Sequence, residues 1–270
     1  MSSITTSVGT IGILDVAGPS TPILFLHGVG SDKSVWRPQL DHFAGRRRAI
    51  AIDYPGYGDS APSDAATRDD YARAVVAVLD ALGIAAAHMC GLSLGGVVAI
   101  ALNRLAPERC TSLIIADSFA VHPDGAAIYE RSVAASGAMT MAELAAARAP
   151  LLLGSAATPA MTDEVVATMG RNAPAAYRQG AAAVWLADQR DAVARIAVPT
   201  LVIVGSEDAI TPPALSAELA DLAGTAVTPR PSVELIEIAG AGHLANLEQP
   251  NAFNAALDRF LATAEADWKS

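Results

Sequence analysis

Apolar residues recur along this chain in two rhythms. Short runs at 11–17, 23–26, 49–52, 87–92, 112–116, 200–204 and 233–238 have the length and β-branched content of strands. Longer stretches between them carry the helical period. The clearest is 67–82, where Tyr71, Val75, Val78, Leu79 and Leu82 share a face and Gly83 supplies a stop. Helices are likewise expected at 94–105, ahead of Pro107, and at 212–222 and 251–262. Strands alternating with helices predict a parallel sheet covered on both faces.

One region breaks the alternation. Residues 119–194 contain no strand-like run, are rich in Ala, carry Met, and are divided by Pro150, Pro159 and Pro174. Helices inserted between two strands of a parallel sheet fold over its carboxyl edge, where ligands bind. The pattern predicts a cap at 119–194 on a core formed by 1–118 and 195–270, with no internal repeat or separate linker.

Composition narrows the class. With 270 residues, 52% hydrophobic and 17% charged, the chain can bury a large core. No apolar run reaches the roughly 18 residues of a membrane span. The start, Met1-Ser2-Ser3-Ile4-Thr5-Thr6, lacks the basic and apolar parts of a secretory signal, so a cytoplasmic address is expected. A net charge of −10 excludes nucleic acid as a natural partner and provides no general field for anionic substrates, so any carboxylate must be recognised locally. The basic run Arg46-Arg47-Arg48 reads as a solvated turn. Cys90 and Cys110 read as small buried residues, Cys90 facing away from the elbow described next. His27, His42, His88, His122 and His243 show no zinc spacing, and neither metal nor cofactor is expected.

The chemistry concentrates at Gly91-Leu92-Ser93-Leu94-Gly95-Gly96, a G-x-S-x-G match with a strand before it and a helix after it. A serine on such a strained turn stands clear of the sheet, with a helix N-terminus behind it to favour developing negative charge. Its hydroxyl needs a base. His243, in Ala239-Gly240-Ala241-Gly242-His243, follows a late strand on a turn of small residues; His122 reads as a cap-entry residue. Glu207 and Asp208 end the preceding strand, and Asp117 ends the strand after the elbow, so three carboxylates compete to orient the imidazole. An oxyanion hole requires two backbone N–H groups. Leu94 is one candidate, and Val29, in His27-Gly28-Val29-Gly30, is the other. Asp53-Tyr54-Pro55-Gly56-Tyr57-Gly58-Asp59-Ser60 reads as turn chemistry rather than a second acidic site. Trp185, at the end of the cap, is a candidate pocket wall or core residue; Trp268 is incidental.

These motifs, with Ala106-Pro107-Glu108-Arg109 and Val198-Pro199-Thr200-Leu201, resemble the α/β-hydrolase superfamily over essentially the whole chain. Within it, the segments 90–96, 205–212 and 243–250 look like 3-oxoadipate enol-lactonases and related carboxylesterases, although 224–231 is longer than that group's usual connection. The resemblance implies an α/β-hydrolase fold with a mostly parallel central sheet and a small helical cap. It selects Asp208 as the acid, giving a Ser93–His243–Asp208 triad that hydrolyses a small-molecule ester or lactone through an acyl-enzyme. Carbon–carbon hydrolysis of ring-fission products, perhydrolysis and ligand reception by a triad-bearing fold remain open alternatives. Haloalkane dehalogenases and epoxide hydrolases use a carboxylate where this elbow presents Ser93. The oligomeric state is not expressed in the pattern.

Overall fold

The computed structural model describes residues 3–64 and 66–268; Met1, Ser2, Ala65, Lys269, Ser270 and the side chains of residues 266–268, Trp268 among them, lie outside the described residues. Eight strands form one sheet, in the order β1-β2-β4-β3-β5-β6-β7-β8. They are β1 (Ser3–Thr6), β2 (Gly9–Val16), β3 (Ser20–Leu26), β4 (Arg47–Ile52), β5 (Ala87–Leu92), β6 (Cys110–Ala116), β7 (Thr200–Gly205) and β8 (Val233–Ile238). From β4 to β8 every neighbouring pair is parallel, whereas β1 and β2 run antiparallel at one edge. The central strands β5, β6 and β7 are buried along their whole length, which is why their sequences are continuous apolar runs rather than alternating ones.

Helices α1 (Arg37–Phe43), α2 (Arg68–Ala81), α3 (Leu94–Leu105), α9 (Pro213–Leu222), α10 (Ala245–Glu248) and α11 (Pro250–Trp268) belong to the segments that build the sheet. Between β6 and β7 lie α4 (Gly125–Ala138), α5 (Met141–Leu152), α6 (Pro159–Gly170), α7 (Pro174–Trp185) and α8 (Arg190–Ala194). Helix α2 starts where the sequence signals it: the Thr67 side chain accepts from Asp70 N, and the Asp70 carboxylate accepts from Thr67 N. The two sheet faces bury separate apolar layers. One contains Leu24, Val75, Met89 and Val97, and the other Phe25, Trp36, Cys90 and Phe260. No helix among the described residues is long and apolar enough to cross a membrane.

Two expectations change. The basic run is not a solvated turn beyond Arg46. Arg47 and Arg48 are the first residues of β4, and the buried Arg47 guanidinium reaches Glu265 of α11 at 2.6 Å. A charge at a strand start can be buried when its partner comes from a distant helix, which local sequence cannot reveal. The strand at 11–17 begins two residues earlier and pairs antiparallel with both neighbours, because a tight turn at Gly9 returns the chain from β1, a strand too short and polar to be read.

Candidate active site

Parallel strands deliver their following loops to one edge of the sheet, and the candidate residues gather there. Leu26 of β3 pairs with Gly91 of β5, so the 27–30 loop lies against the serine turn. Ser93 adopts φ 55°, ψ −113°, a left-handed conformation that a non-glycine residue holds only under constraint. The constraint is close packing. A Cβ at Gly91 would run into the Gly95 carbonyl, and one at Gly95 into the Leu26 carbonyl. Ser93 N donates to Ala116 O at 2.9 Å, and Ser118 Oγ donates to Ser93 O at 2.9 Å, locking the turn from β6. Leu94 is the first residue of α3, so its N–H has no acceptor within the helix.

The 27–30 loop is built from buried parts. His27 is enclosed; its Nδ1–H donates to Gly28 O at 2.8 Å, and Nε2 accepts from Tyr54 N at 3.4 Å. Burial, opposed by the Asp53 charge, pulls its pKa below the usual histidine value, in keeping with that neutral ring. A Cβ on Gly28 would sit 3.4 Å from Ser93 Cβ, so the loop passes directly over the serine. The Ser31 N–Gly28 O turn bond at 3.3 Å spans Val29, leaving the Val29 N–H outside it.

Asp208 and His243 form a bonded unit. Asp208 Oδ2 lies 2.8 Å from His243 Nδ1 and accepts from Thr211 Oγ1 at 2.7 Å. Oδ1 accepts from Ile210 N at 2.8 Å and Thr211 N at 2.9 Å. Burial would raise this carboxyl, but the His243 charge and the hydrogen bonds outweigh it, and Asp208 sits below the usual range. The other two carboxylates do different work. Glu207 is exposed and caps the 153–157 segment through Ser155 N at 2.7 Å and Ser155 Oγ at 2.6 Å. Asp117, buried at φ 46°, accepts from Gly205 N at 2.8 Å, and burial together with the Asp208 charge pushes its pKa well up.

Three contributors escaped sequence reasoning. Thr211 holds Asp208 from a second direction, a job its place after the acid did not advertise. Glu248, buried, accepts from Gly242 N at 3.0 Å, Leu244 N at 3.3 Å and Gly154 N at 2.7 Å, clamping the His243 turn from both sides and binding it to the end of α5. His243 N also donates to Leu152 O at 2.8 Å. Lys33 is the third: it bonds the buried Asp53 at 2.6 Å and the exposed Asp59 at 2.7 Å, an ion triad that stiffens the 53–60 turn. The turn chemistry expected there holds.

Ser93, His243, Val29 and Trp185 line one cavity, completed by α5, α6 and α7 residues including Arg148, Leu152, Val165, Met169 and Tyr177. Ser93 and His243 are buried, and no hydrogen bond joins them among the described residues; such bonds are commonly long before substrate binds. The cavity has a volume of about 50 Å³ and a mostly apolar wall. Trp185 is both wall and core, stacked on Phe119 with ring centres 5.8 Å apart. His122 meets the Trp185 ring edge-on at 5.5 Å, beside the bridge between Val121 and Asp188 at the root of the α4–α8 segment. The Cys90 thiol is buried, and burial pushes its pKa far above neutrality, so it offers no nucleophile.

Known proteins place this architecture. The chain is 28% identical to 3-oxoadipate enol-lactonase 1 of Acinetobacter baylyi over 93% of its length and 92% of that protein. A thermophilic esterase from Thermogutta terrifontis, solved with malate bound, superposes with a TM-score of 0.87 at 26% identity, covering 97% of this chain and 98% of that one. The enol-lactonase from Burkholderia xenovorans LB400 does so with a TM-score of 0.87 at 25% identity, covering 96% and 99%. Residues 23–256 match the model of the alpha/beta hydrolase family. The chain belongs to that family and is a hydrolase by kinship.

Proposed function

We propose that this protein is a serine hydrolase that cleaves a carboxylic ester or lactone of a small molecule. One observation carries the reading: a bonded Asp208–His243 pair and a serine in a left-handed elbow open onto the same apolar cavity. In that reading His243 takes the Ser93 proton as Oγ attacks the carbonyl carbon. Asp208 holds Nδ1–H toward itself, so that Nε2 is the basic nitrogen, and stabilises the imidazolium. The N–H groups of Val29 and Leu94 receive the oxyanion. The imidazolium then protonates the leaving alcohol oxygen, and water activated by the same base releases the acid from the acyl-enzyme.

The 119–194 segment serves as the cap that shapes the cavity, Trp185 standing at its inner wall. The relatives named as lactonases and esterases support this substrate class, as does the small apolar chamber. No cofactor enters the scheme. Ser93→Ala tests it: fluorophosphonate labelling and hydrolysis of p-nitrophenyl acetate should both vanish while the circular dichroism spectrum stays unchanged. Labelling that persists at the wild-type level would remove Ser93 from the mechanism.

A further inference from the structure

We propose that Arg148 is a specificity-determining residue that binds an anionic group of the substrate, a carboxylate, so that the ester or lactone attacked by Ser93 is carried on a small organic acid. The inference rests on the hydrolase reading above and narrows its substrate class.

Arg148 occupies an unusual place on α5. Residues four apart on a helix share a face, and its neighbours at that spacing, Leu144 and Leu152, are buried at 3% and 7% exposure. Arg148 therefore stands in the inward stripe of the helix, where an apolar side chain would pack at no electrostatic cost. Its Nε is enclosed and has no hydrogen-bond partner, and its guanidinium pairs with no carboxylate among the described residues. Several other arginines of the fold have a carboxylate beside them. Arg47 reaches Glu265 at 2.6 Å, Arg109 reaches Asp80 at 2.7 Å, and Arg68, whose Nε is also enclosed and unbonded, lies 3.9 Å from Asp69. Arg148 is half-buried, but its enclosed Nε–H has lost water without gaining an acceptor, a cost that a ligand oxygen in the cavity would relieve.

The cavity says what that something is. Arg148 lines the same chamber as Ser93 and His243, and most of the remaining wall is apolar, including Val35, Leu152, Val165 and Met169. In such surroundings a charge attracts an anion far more strongly than in water, and the planar fork matches a carboxylate with two parallel N–H donors. Glu164 of α6 also lines the cavity, but it is solvent-exposed and makes no ion pair with Arg148 among the described residues, so it does not neutralise the fork. The chain carries a net charge of −10, so a carboxylate cannot be drawn in by the general field. A local cation is required, and Arg148 is placed to be it.

Two measurements test this separately from the hydrolase reading. The first is calorimetric titration of glutarate into Ser93→Ala and into Ser93→Ala/Arg148→Gln. We expect binding to the first and at least about tenfold weaker binding to the second, the range for losing a charged hydrogen-bond partner; equal affinities overturn the inference. The second compares kcat/KM for mono-p-nitrophenyl glutarate and the neutral p-nitrophenyl valerate. The ratio of anionic to neutral ester should fall about 10- to 100-fold in Arg148→Gln, with Arg148→Lys between the two. An unchanged ratio, with both esters turned over, overturns the role of Arg148 and leaves the hydrolase reading standing. If neither ester is turned over, the hydrolase reading fails and the glutarate titration alone decides whether Arg148 binds the acid.

Discussion

Three carboxylates compete on paper to orient His243, and replacing each by its amide separates them. In Asp208→Asn the side chain keeps its shape, and one oxygen can still accept from Ile210 N and Thr211 N. The group facing Nδ1, however, becomes an NH2. A donor there opposes Nδ1–H, so the imidazole moves its proton to Nε2 and presents an N–H to the serine it should deprotonate. Loss of one charge-assisted hydrogen bond is worth about 1.5–3 kcal/mol, roughly 10- to 150-fold in rate. The wrong tautomer costs about 10⁴-fold, or ~5.5 kcal/mol. A fall beyond roughly 10³-fold in kcat/KM on p-nitrophenyl acetate therefore reports the tautomer and not merely a missing contact. Glu207→Gln should change the rate by about twofold at most, because that exposed group bonds only Ser155 among the described residues. Asp117→Asn should also stay within a few-fold. Burial and the Asp208 charge already push this acid's pKa well up, the amide keeps an acceptor for Gly205 N, and Asn tolerates φ 46° well. The reasoning is refuted if either of these variants falls as far as Asp208→Asn, or if Asp208→Asn retains more than a tenth of wild-type activity.

Gly91→Ala would push a methyl into the Gly95 carbonyl, so the elbow must shift; we expect about 1–3 kcal/mol lost in urea unfolding and at least tenfold lower kcat/KM, and wild-type values for both would disprove the packing account. His88 titrates at about 4, held down mainly by burial and further by Arg47, against Glu265. Below pH 6.5 the unfolded chain takes up a proton that the folded one refuses. Stability should accordingly be full above 6.5 and fall as the pH drops, by about 3 kcal/mol at pH 4 from this residue. His88→Gln should flatten that limb of the urea-midpoint profile; identical slopes would show that His88 is not the group responsible.

The candidate site is legible in the sequence because its features are local. A glycine-flanked serine after an apolar strand, a histidine on a turn of small residues and a carboxylate ending the strand before it each announce themselves within ten residues. Even there position alone leaves Glu207 and Asp208 indistinguishable, and only the resemblance favours Asp208; what separates them in the fold is Thr211 and the direction of the turn. The less legible parts depend on distant partners. Arg47 is readable only with Glu265 in view, Lys33 only with Asp53 and Asp59, and Glu248 only once Gly154 and Gly242 lie side by side. Helix α1, a single short element after Trp36, carried too little periodicity to be separated from its flanking loop.

The bonds from His243 N to Leu152 O and from Gly154 N to Glu248 splice the far end of α5 onto the turn bearing His243. The helix that carries Arg148 is therefore not a door that can swing freely, because dragging it would unseat the imidazole. The segment leading into α6 is tied to the same turn, Ala156 N donating to Gly240 O at 3.0 Å, so α5 and the start of α6 are held together against it. Substitutions along α5 should therefore be felt at the His243 turn as well as in the cavity wall, whereas those in α7, which makes no such bond to the turn among the described residues, should alter the wall alone.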